Sequence, residues 1–267
     1  MDIETIINTY GKYVFNYAVK LSCNPSVAED LAQETFINAW QKINTLEDTN
    51  AIKAWLRKIC FNNFLMKERK NKNYSELLYE DIKLLENEGE SLRDIIPKPE
   101  EEVIVEETIR ELQNGCFLAM VRRLTLHQRI AFSLIDMFGL SLDEVSEIIG
   151  ISQSATKGLR YRAHMNLDSF FSNHCNLLNV NNPCSCKAWI EFSKNRDNLQ
   201  KEANKHKLIE KLDYTKSNYT FNNEVRSKIN FLYKSMPDRK PLKEWYEEVI
   251  NVINKIPQVI PKKSQTD

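Results

Sequence analysis

The sequence is poor in residues that interrupt helices, since its 267 residues include only 6 glycines and 8 prolines. This scarcity favours helices over a turn-rich β-architecture. The chain also lacks an uninterrupted apolar run of about 18 residues, so we predict no membrane insertion. Its formal net charge is zero, so any surface that attracts nucleic acid must be a local concentration of basic residues.

The N-terminus lacks the features of a signal peptide. Acidic residues occupy the stretch where a basic segment followed by an apolar core would be needed. We therefore expect a cytoplasmic protein. Disulfides rarely persist in that compartment, which weakens the interpretation of neighbouring cysteines as a disulfide.

Three of the six cysteines lie close together beside a histidine, in the stretch "HCNLLNVNNPCSC". Thiolates and imidazole are the ligands that tetrahedral zinc prefers, so we predict a structural or regulatory zinc site formed by His174, Cys175, Cys184 and Cys186. His174 and Cys175 are adjacent and hard to fit to one ion, so the fourth ligand could instead be His164 or His206. A redox-sensing or non-liganding cluster is the alternative.

Apolar residues at three- and four-residue steps predict three helices in the first 72 residues. The first runs from Ile3 to Leu21, and the second to about Ile43. Ser26 followed by Glu29 predicts a capping box at the start of the second helix. The third helix, "AIKAWLRKICFNNFLMKERK", ends in several basic residues. Residues 74–107 contain twelve carboxylates against three basic side chains, which indicates an acidic linker.

A helix-turn-helix is predicted after the linker, in "SLDEVSEIIGISQSATKGLRYRA". Ser141 and Glu144 form the pattern of a capping box, Gly150 is placed to end the first helix, and Ser152 to cap the second. Gln and Arg suit base edges, and Ser, Thr and Lys suit phosphates. We therefore predict a DNA-binding face formed by Ser152, Gln153, Ser154, Thr156, Lys157, Arg160 and Arg162. A helical hairpin with a solvated basic face is the alternative.

Three segments together resemble an extracytoplasmic-function sigma factor of the sigma-70 family. They are "AEDLAQETFINAW", "AWLRKICFNNFLMKERK" and "LTLHQRIAFSLIDMFGLSLDEVSEIIGISQSATKGLRYRAHMNL". The resemblance covers residues 5–72 and 108–171 in the expected order, with a linker between them. It implies an all-α protein with two small helical domains.

The resemblance also implies roles for individual residues. It implies that core RNA polymerase binds to Asp30, Gln33 and Glu34, which form an acidic and amide face of one helix. Capture of the −10 element as a single strand falls to Trp55, Asn62, Lys67, Arg69 and Lys70. The helix-turn-helix residues named above would read the −35 duplex. The sequence departs from the family at Gly158 and His164, so its promoter preference is expected to differ from that of common members.

The expected domains are residues 1–73 (sigma region two), 74–107 (the acidic linker), 108–172 (sigma region four) and 173–267 (a cysteine-containing extension). The implied partners are core RNA polymerase, promoter DNA and an anti-sigma factor, in a bacterial cytoplasm. Promoter recognition is expected to need no cofactor, and the extension is the part that the zinc prediction concerns.

Two other classes of function compete with this interpretation. A stand-alone helix-turn-helix regulator that binds an operator would leave "AEDLAQETFINAW" without a role. A zinc enzyme built on the cysteine cluster would need a general acid/base, and the stretch around His174 lacks the glutamate that supplies one in zinc deaminases. We therefore expect no catalytic activity.

Overall fold

The computed structural model describes residues 2–46, 48–70, 113–175, 178–179, 181–182, 220–234 and 238–256. In these parts of the chain the regular elements are helical, which confirms the predicted all-α class. No helix there is both long and apolar enough to span a membrane. The described residues form two compact units, one from the ranges 1–72 and 238–267 and one from 73–237. The predicted acidic linker lies outside the described residues.

The first unit contains three helices from the N-terminal part of the chain. They are α1 (Ile3–Ser22), α2 (Pro25–Gln41) and α3 (Ile52–Lys70), with two short 3₁₀ turns between α2 and α3. Their apolar faces meet in a core that includes Tyr17, Phe36 and Phe64, each almost completely buried. This burial supplies most of the stability of such short helices.

The start of α2 differs from the prediction. Asn24, not Ser26, is the N-cap, and its Oδ1 accepts hydrogen bonds from the backbone N–H groups of Ser26 (3.0 Å) and Val27 (3.3 Å). Pro25 occupies the first helical position, where its missing N–H is not needed. The predicted capping box of Ser26 and Glu29 is therefore wrong, because the helix begins earlier than the box requires.

A helix from the C-terminal part of the chain completes the core of the first unit. This helix, labelled α9 (Lys243–Asn254), packs on α1 and α2 and buries Trp245, Val249 and Ile253. The Trp245 ring makes edge contacts with Phe15 and Phe36, at centroid distances of 6.4 and 6.2 Å. The sequence had not predicted that this segment packs on the N-terminal helices.

The second unit contains five helices in its described residues. Helix α4 covers residues 113–122, and α5 (Leu126–Phe132) continues into a π-helical turn, Ser133–Met137. Then follow α6 (Leu142–Ile149), α7 (Gln153–His174) and α8 (Asn223–Lys234). The core between α4, α5 and α7 is aromatic, with Phe117 packed against both Phe132 and Phe171.

Candidate nucleic-acid interface

Helices α6 and α7 form the predicted helix-turn-helix, and local side chains fix its geometry. Ser141 Oγ accepts from the N–H of Glu144 (3.2 Å), and the Glu144 carboxylate accepts from the N–H of Ser141 (3.0 Å), so the capping box is present. Gly150 ends α6 at φ 78°, a left-handed conformation that favours glycine. Ser152 caps α7 by accepting from the N–H of Ala155 (3.2 Å).

A buried hydroxyl pair joins the two helices. Ser146 Oγ donates to Thr156 Oγ1 at 3.1 Å, and the Thr156 hydroxyl in turn donates to the carbonyl of Ser152. Thr156 is fully buried, because its position in the first turns of α7 faces α6. Its hydroxyl therefore serves the packing of the helix pair, and we leave Thr156 out of the candidate DNA-contacting face.

The other predicted DNA-contacting residues lie at the surface of α7. Gln153, Ser154, Lys157 and Arg162 are exposed. Gln153 donates from Nε2 to Asp143 on α6, so its side chain already has a partner. The structure adds Tyr161, which is 57% exposed and lies four residues after Lys157, one helical turn along α7. Tyr161 was not predicted from the sequence, because an aromatic side chain in a helix is usually part of a core.

Arg160 is held by a buried carboxylate. Its Nε and Nη2 donate to Asp136 at 2.9 and 2.6 Å, a bidentate pair. The Asp136 side chain is 2% exposed, while that of Arg160 is 43% exposed. Asp136 belongs to the π-helical turn, which aims it at α7. The guanidinium thus stands at the surface in a fixed orientation.

His164 also bonds to Asp136, through Nε2 at 3.1 Å, and its Nδ1 contacts the Arg226 guanidinium of α8. Burial would raise the pKa of Asp136, but the hydrogen bonds and the charges of His164 and Arg160 together outweigh it and lower that pKa. The pKa of His164 is lowered, chiefly by burial and also by the charges of Arg226 and Arg160, against the opposing effect of Asp136. Both ring nitrogens are engaged, so His164 is not placed to be the fourth ligand of the predicted zinc site.

In the first unit, the residues predicted to face core polymerase lie on one side of α2. Asp30 and Glu34 are exposed and Gln33 is half-buried. Asp30 accepts from Lys67 Nζ on α3 at 3.0 Å. A residue predicted to bind polymerase therefore contacts one predicted to bind DNA, so the two predicted surfaces adjoin at this ion pair.

The residues predicted to capture the −10 strand occupy α3. Trp55 is half-buried and donates from Nε1 to Thr45 Oγ1 at 3.3 Å. Asn62, Arg69 and Lys70 are exposed and Lys67 is half-buried. Phe61 and Phe64, in contrast, are buried in the core. Of these three aromatic residues of α3, Trp55 is thus the one that remains accessible for base stacking.

Two of the four predicted zinc ligands, Cys184 and Cys186, lie outside the described residues, as does His206. His174 ends α7 with its ring stacked on Phe170 at a centroid distance of 4.8 Å, and Cys175 follows as the C-cap. The described residues contain no group of three or more His, Cys, Asp or Glu side chains that could hold a metal ion. The zinc site stays a prediction.

Comparison with known proteins gives matches to both units. The family model "Sigma-70 region 2" matches residues 6–74, and "Sigma-70, region 4" matches residues 114–167. The chain is 27% identical over 176 residues to "ECF RNA polymerase sigma factor SigM" of Bacillus subtilis, covering 66% of this chain and 99% of that protein.

Two further relatives have similar names. "ECF RNA polymerase sigma factor SigE" of Mycolicibacterium smegmatis is 27% identical over 172 residues, which are 64% of this chain and 62% of the relative. "RNA polymerase sigma factor YlaC" of Bacillus subtilis is 25% identical over 168 residues, which are 62% and 89%. A stand-alone operator-binding regulator would not account for the region 2 match, so that alternative is not favoured. The chain belongs to the sigma-70 family and, within it, to the extracytoplasmic-function RNA polymerase sigma factors.

Proposed function

We propose that the protein directs core RNA polymerase to its promoters with its two units in separate roles. The observation that carries this proposal is the occurrence of a helix-turn-helix with an exposed polar and cationic second helix in a chain that also matches sigma region 2. The domain boundaries given above, including the acidic linker of residues 74–107, are part of the proposal. We propose no catalytic activity for the chain, and we place its action in the bacterial cytoplasm, where its polymerase works.

The α2 face of Asp30, Gln33 and Glu34 is the proposed contact with core polymerase. Two features support it: both carboxylates are exposed, and i, i+3 and i, i+4 spacing places all three side chains on one side of the helix. An acidic face of this kind suits a basic helical partner, and such complementary charge raises the association rate and fixes the orientation of docking.

The −10 strand is proposed to bind along α3. Trp55 offers a ring for base stacking at the start of the helix, and the exposed cations Arg69 and Lys70 offer phosphate contacts at its end. Stacking contributes about 1–3 kcal/mol per base, which offsets the few kcal/mol needed to take a base out of the duplex. Asn62 lies between these two ends, and Lys67 joins this surface to the polymerase face.

The −35 duplex is proposed to bind the start of α7 in its major groove. Ser154, Lys157 and Arg162 are exposed there, and Ser152 and Gln153 stand at the helix N-terminus. Arg160 is proposed as the base-reading residue, because Asp136 holds its guanidinium in one orientation at the surface. Arginine bidentate to guanine is the commonest specific contact in the major groove.

A footprint of the holoenzyme on promoter DNA tests this assignment. We expect protection at two separate elements. In a separate measurement of DNA affinity against salt concentration, Lys157→Ala should reduce the slope of log affinity against log salt by about one, because it removes one positive charge, while base preference stays the same. Glu147→Ala, an exposed change on α6, is the matched control. A footprint confined to one element would contradict the two-unit proposal.

Zinc binding by His174, Cys175, Cys184 and Cys186 is a separate proposal. Its support is the chemistry of the four side chains, which are a ligand set that zinc prefers. Metal analysis of tag-free protein, compared with a Cys184→Ser, Cys186→Ser variant, tests it. Less than about a tenth of an equivalent of zinc in both proteins would rule the site out.

A further inference from the structure

Helix α8 brings a half-buried arginine from the C-terminal part of the chain against helix α7. Arg226 lies in the first turn of α8, and its side chain is 13% exposed. Nη2 donates to Asp168 Oδ2, and Nη1 contacts His164 Nδ1. Asp168 and His164 are one turn apart on α7, so the two arms of a single guanidinium bridge them. This segment lies outside both matched family regions.

The contact with Arg226 determines the tautomer of His164, that is, which of its two ring nitrogens carries the proton. A guanidinium has only donors, so Nδ1 of the imidazole must accept. The ring proton then lies on Nε2, which faces Asp136 Oδ2 at 3.1 Å and donates to it. The Phe132 ring packs edge-on against the imidazole at a centroid distance of 5.2 Å and limits its rotation.

Asp136 connects the oriented imidazole of His164 to Arg160 on α7. Its two oxygens accept from Nε and Nη2 of Arg160, and Oδ2 also accepts from His164. A carboxylate held on one side by a fixed imidazole can hold a planar guanidinium in one plane. Four side chains therefore connect α8 to the surface of α7.

We infer that Arg226 is a positioning residue for promoter recognition, which through His164 and Asp136 fixes the orientation of Arg160 for base reading. The inference rests on the proposed function, in which Arg160 reads one base pair of the −35 element. It gives the C-terminal extension a role in sequence preference, although Arg226 itself lies on a different helix from the reading residues.

Replacement of Arg226 should leave Arg160 in place but make the orientation of its guanidinium less fixed. In Arg226→Ala, the imidazole can rotate or exchange its tautomer, so Asp136 loses a fixed donor. Arg226→Lys keeps a positive charge near Asp168, but an ammonium lacks the planar fork that bridges two acceptors. We expect both variants to lose about tenfold in discrimination at the base pair that Arg160 reads.

Transcription by the holoenzyme from promoters with a randomised −35 element measures this discrimination in the full-length protein. The variants are Arg160→Ala, Arg226→Ala, Arg226→Lys and the double variant of Arg160 and Arg226. Lys228→Ala on the same helix is the control, since among the described residues Lys228 Nζ donates to Glu224 and to the Leu178 carbonyl. We expect the Arg226 variants to relax preference at the same base pair as Arg160→Ala, with no additional loss in the double variant.

The possible failures are distinguishable. If Arg160→Ala relaxes one position while Arg226→Ala and Arg226→Lys keep the wild-type preference, the inference is wrong and the proposed function stands. If Arg160→Ala itself leaves every preference unchanged, the assignment of Arg160 fails and the inference fails with it. Nitrogen NMR of His164 provides a readout that does not depend on DNA: we expect the neutral Nε2–H tautomer in the wild type and loss of that single form in Arg226→Lys. An Nδ1–H tautomer in the wild type would overturn the inference.

Discussion

The ring of Tyr246 on α9 lies directly against Gly11 on α1. A Cβ atom added to Gly11 would overlap Tyr246 Cε1 and lie 3.2 Å from Cζ. The Tyr246 ring therefore occupies the space that a side chain at position 11 would need. Glycine is used at this position for the space it leaves, because its backbone is helical and does not require a positive φ.

Gly11→Ala should consequently destabilise the first unit. Overpacking costs about 1–3 kcal/mol, which exceeds the gain of about 1 kcal/mol expected from replacing glycine by alanine within a helix. Urea unfolding followed by tryptophan fluorescence measures the free energy of unfolding. Gly115→Ala is the control, since its Cβ would meet no atom of the described residues within 4 Å, and it should be neutral or stabilising. Equal effects of the two variants would show that α9 does not pack on α1 as described.

Trp245→Ala tests the aromatic contact beneath the same helix. Trp245 is 7% exposed and packs between Phe15 and Phe36, so its loss should lower the free energy of unfolding by about 3–5 kcal/mol. Leu242→Ala, at a residue that is 72% exposed, should change it by less than about 0.5 kcal/mol. Circular dichroism during thermal unfolding distinguishes the two. A Trp245→Ala protein as stable as Leu242→Ala would contradict the packing of α9 in the core.

Charge reversal on α2 should weaken binding to core polymerase. Asp30→Lys with Glu34→Lys replaces two exposed carboxylates, and we expect affinity to fall at least about tenfold, because like charges would then face a basic partner. The Asp30 to Lys67 ion pair is exposed and contributes only about 0–1 kcal/mol, so the fold should survive its loss. Glu247→Lys with Glu248→Lys, at two exposed residues of α9, is the control of equal charge change. Unchanged affinity in fluorescence anisotropy would remove the proposed role of this face.

The free energy of unfolding of the second unit should depend on pH through the protonation of Asp168. Burial raises the pKa of Asp168 to about 6 despite the Arg226 guanidinium, which lowers it. The folded protein therefore holds this proton more tightly than the unfolded chain, whose pKa is about 3.9. Its contribution is fully present below about pH 4 and is lost as the pH rises towards 6.

Asp168→Asn keeps an acceptor for Arg226 but cannot titrate. The difference in free energy of unfolding between wild type and Asp168→Asn should fall between about pH 4 and 6 and remain level above it. Urea unfolding over pH 4–8 measures this difference. Asp143→Asn, at an exposed residue on α6, is the control. A difference that is constant over this range, or that rises with pH, would contradict the raised pKa.

The helix-turn-helix was predictable because its signals are local. The capping box of Ser141 and Glu144, the left-handed Gly150 and the cap of Ser152 each depend on residues within four positions of one another, and all are present. The start of α2 was misjudged because Ser26 was preferred as the cap. Proline is common at the first helical position, so Pro25 points to Asn24 before it, which is also a good cap.

The remaining features depend on contacts between distant residues. Arg226 and His164 are 62 positions apart, and the periodicity of α8 does not identify the helix that its buried face meets. The same holds for α9, whose apolar stripe predicts a buried face but not the partner helices α1 and α2. Thr156 was predicted to face DNA because hydroxyls suit phosphates. In the structure its side chain points instead towards Ser146 on α6, and only the packing of the two helices shows this.

The most direct test of the account is run-off transcription by core RNA polymerase, with and without the full-length protein, from a library in which the −10 and −35 elements are randomised. We predict transcripts only from a subset of promoters that share two elements, and relaxed preference at a single −35 base pair when the protein carries Arg160→Ala. Transcription no more selective than that of core polymerase alone would contradict the account.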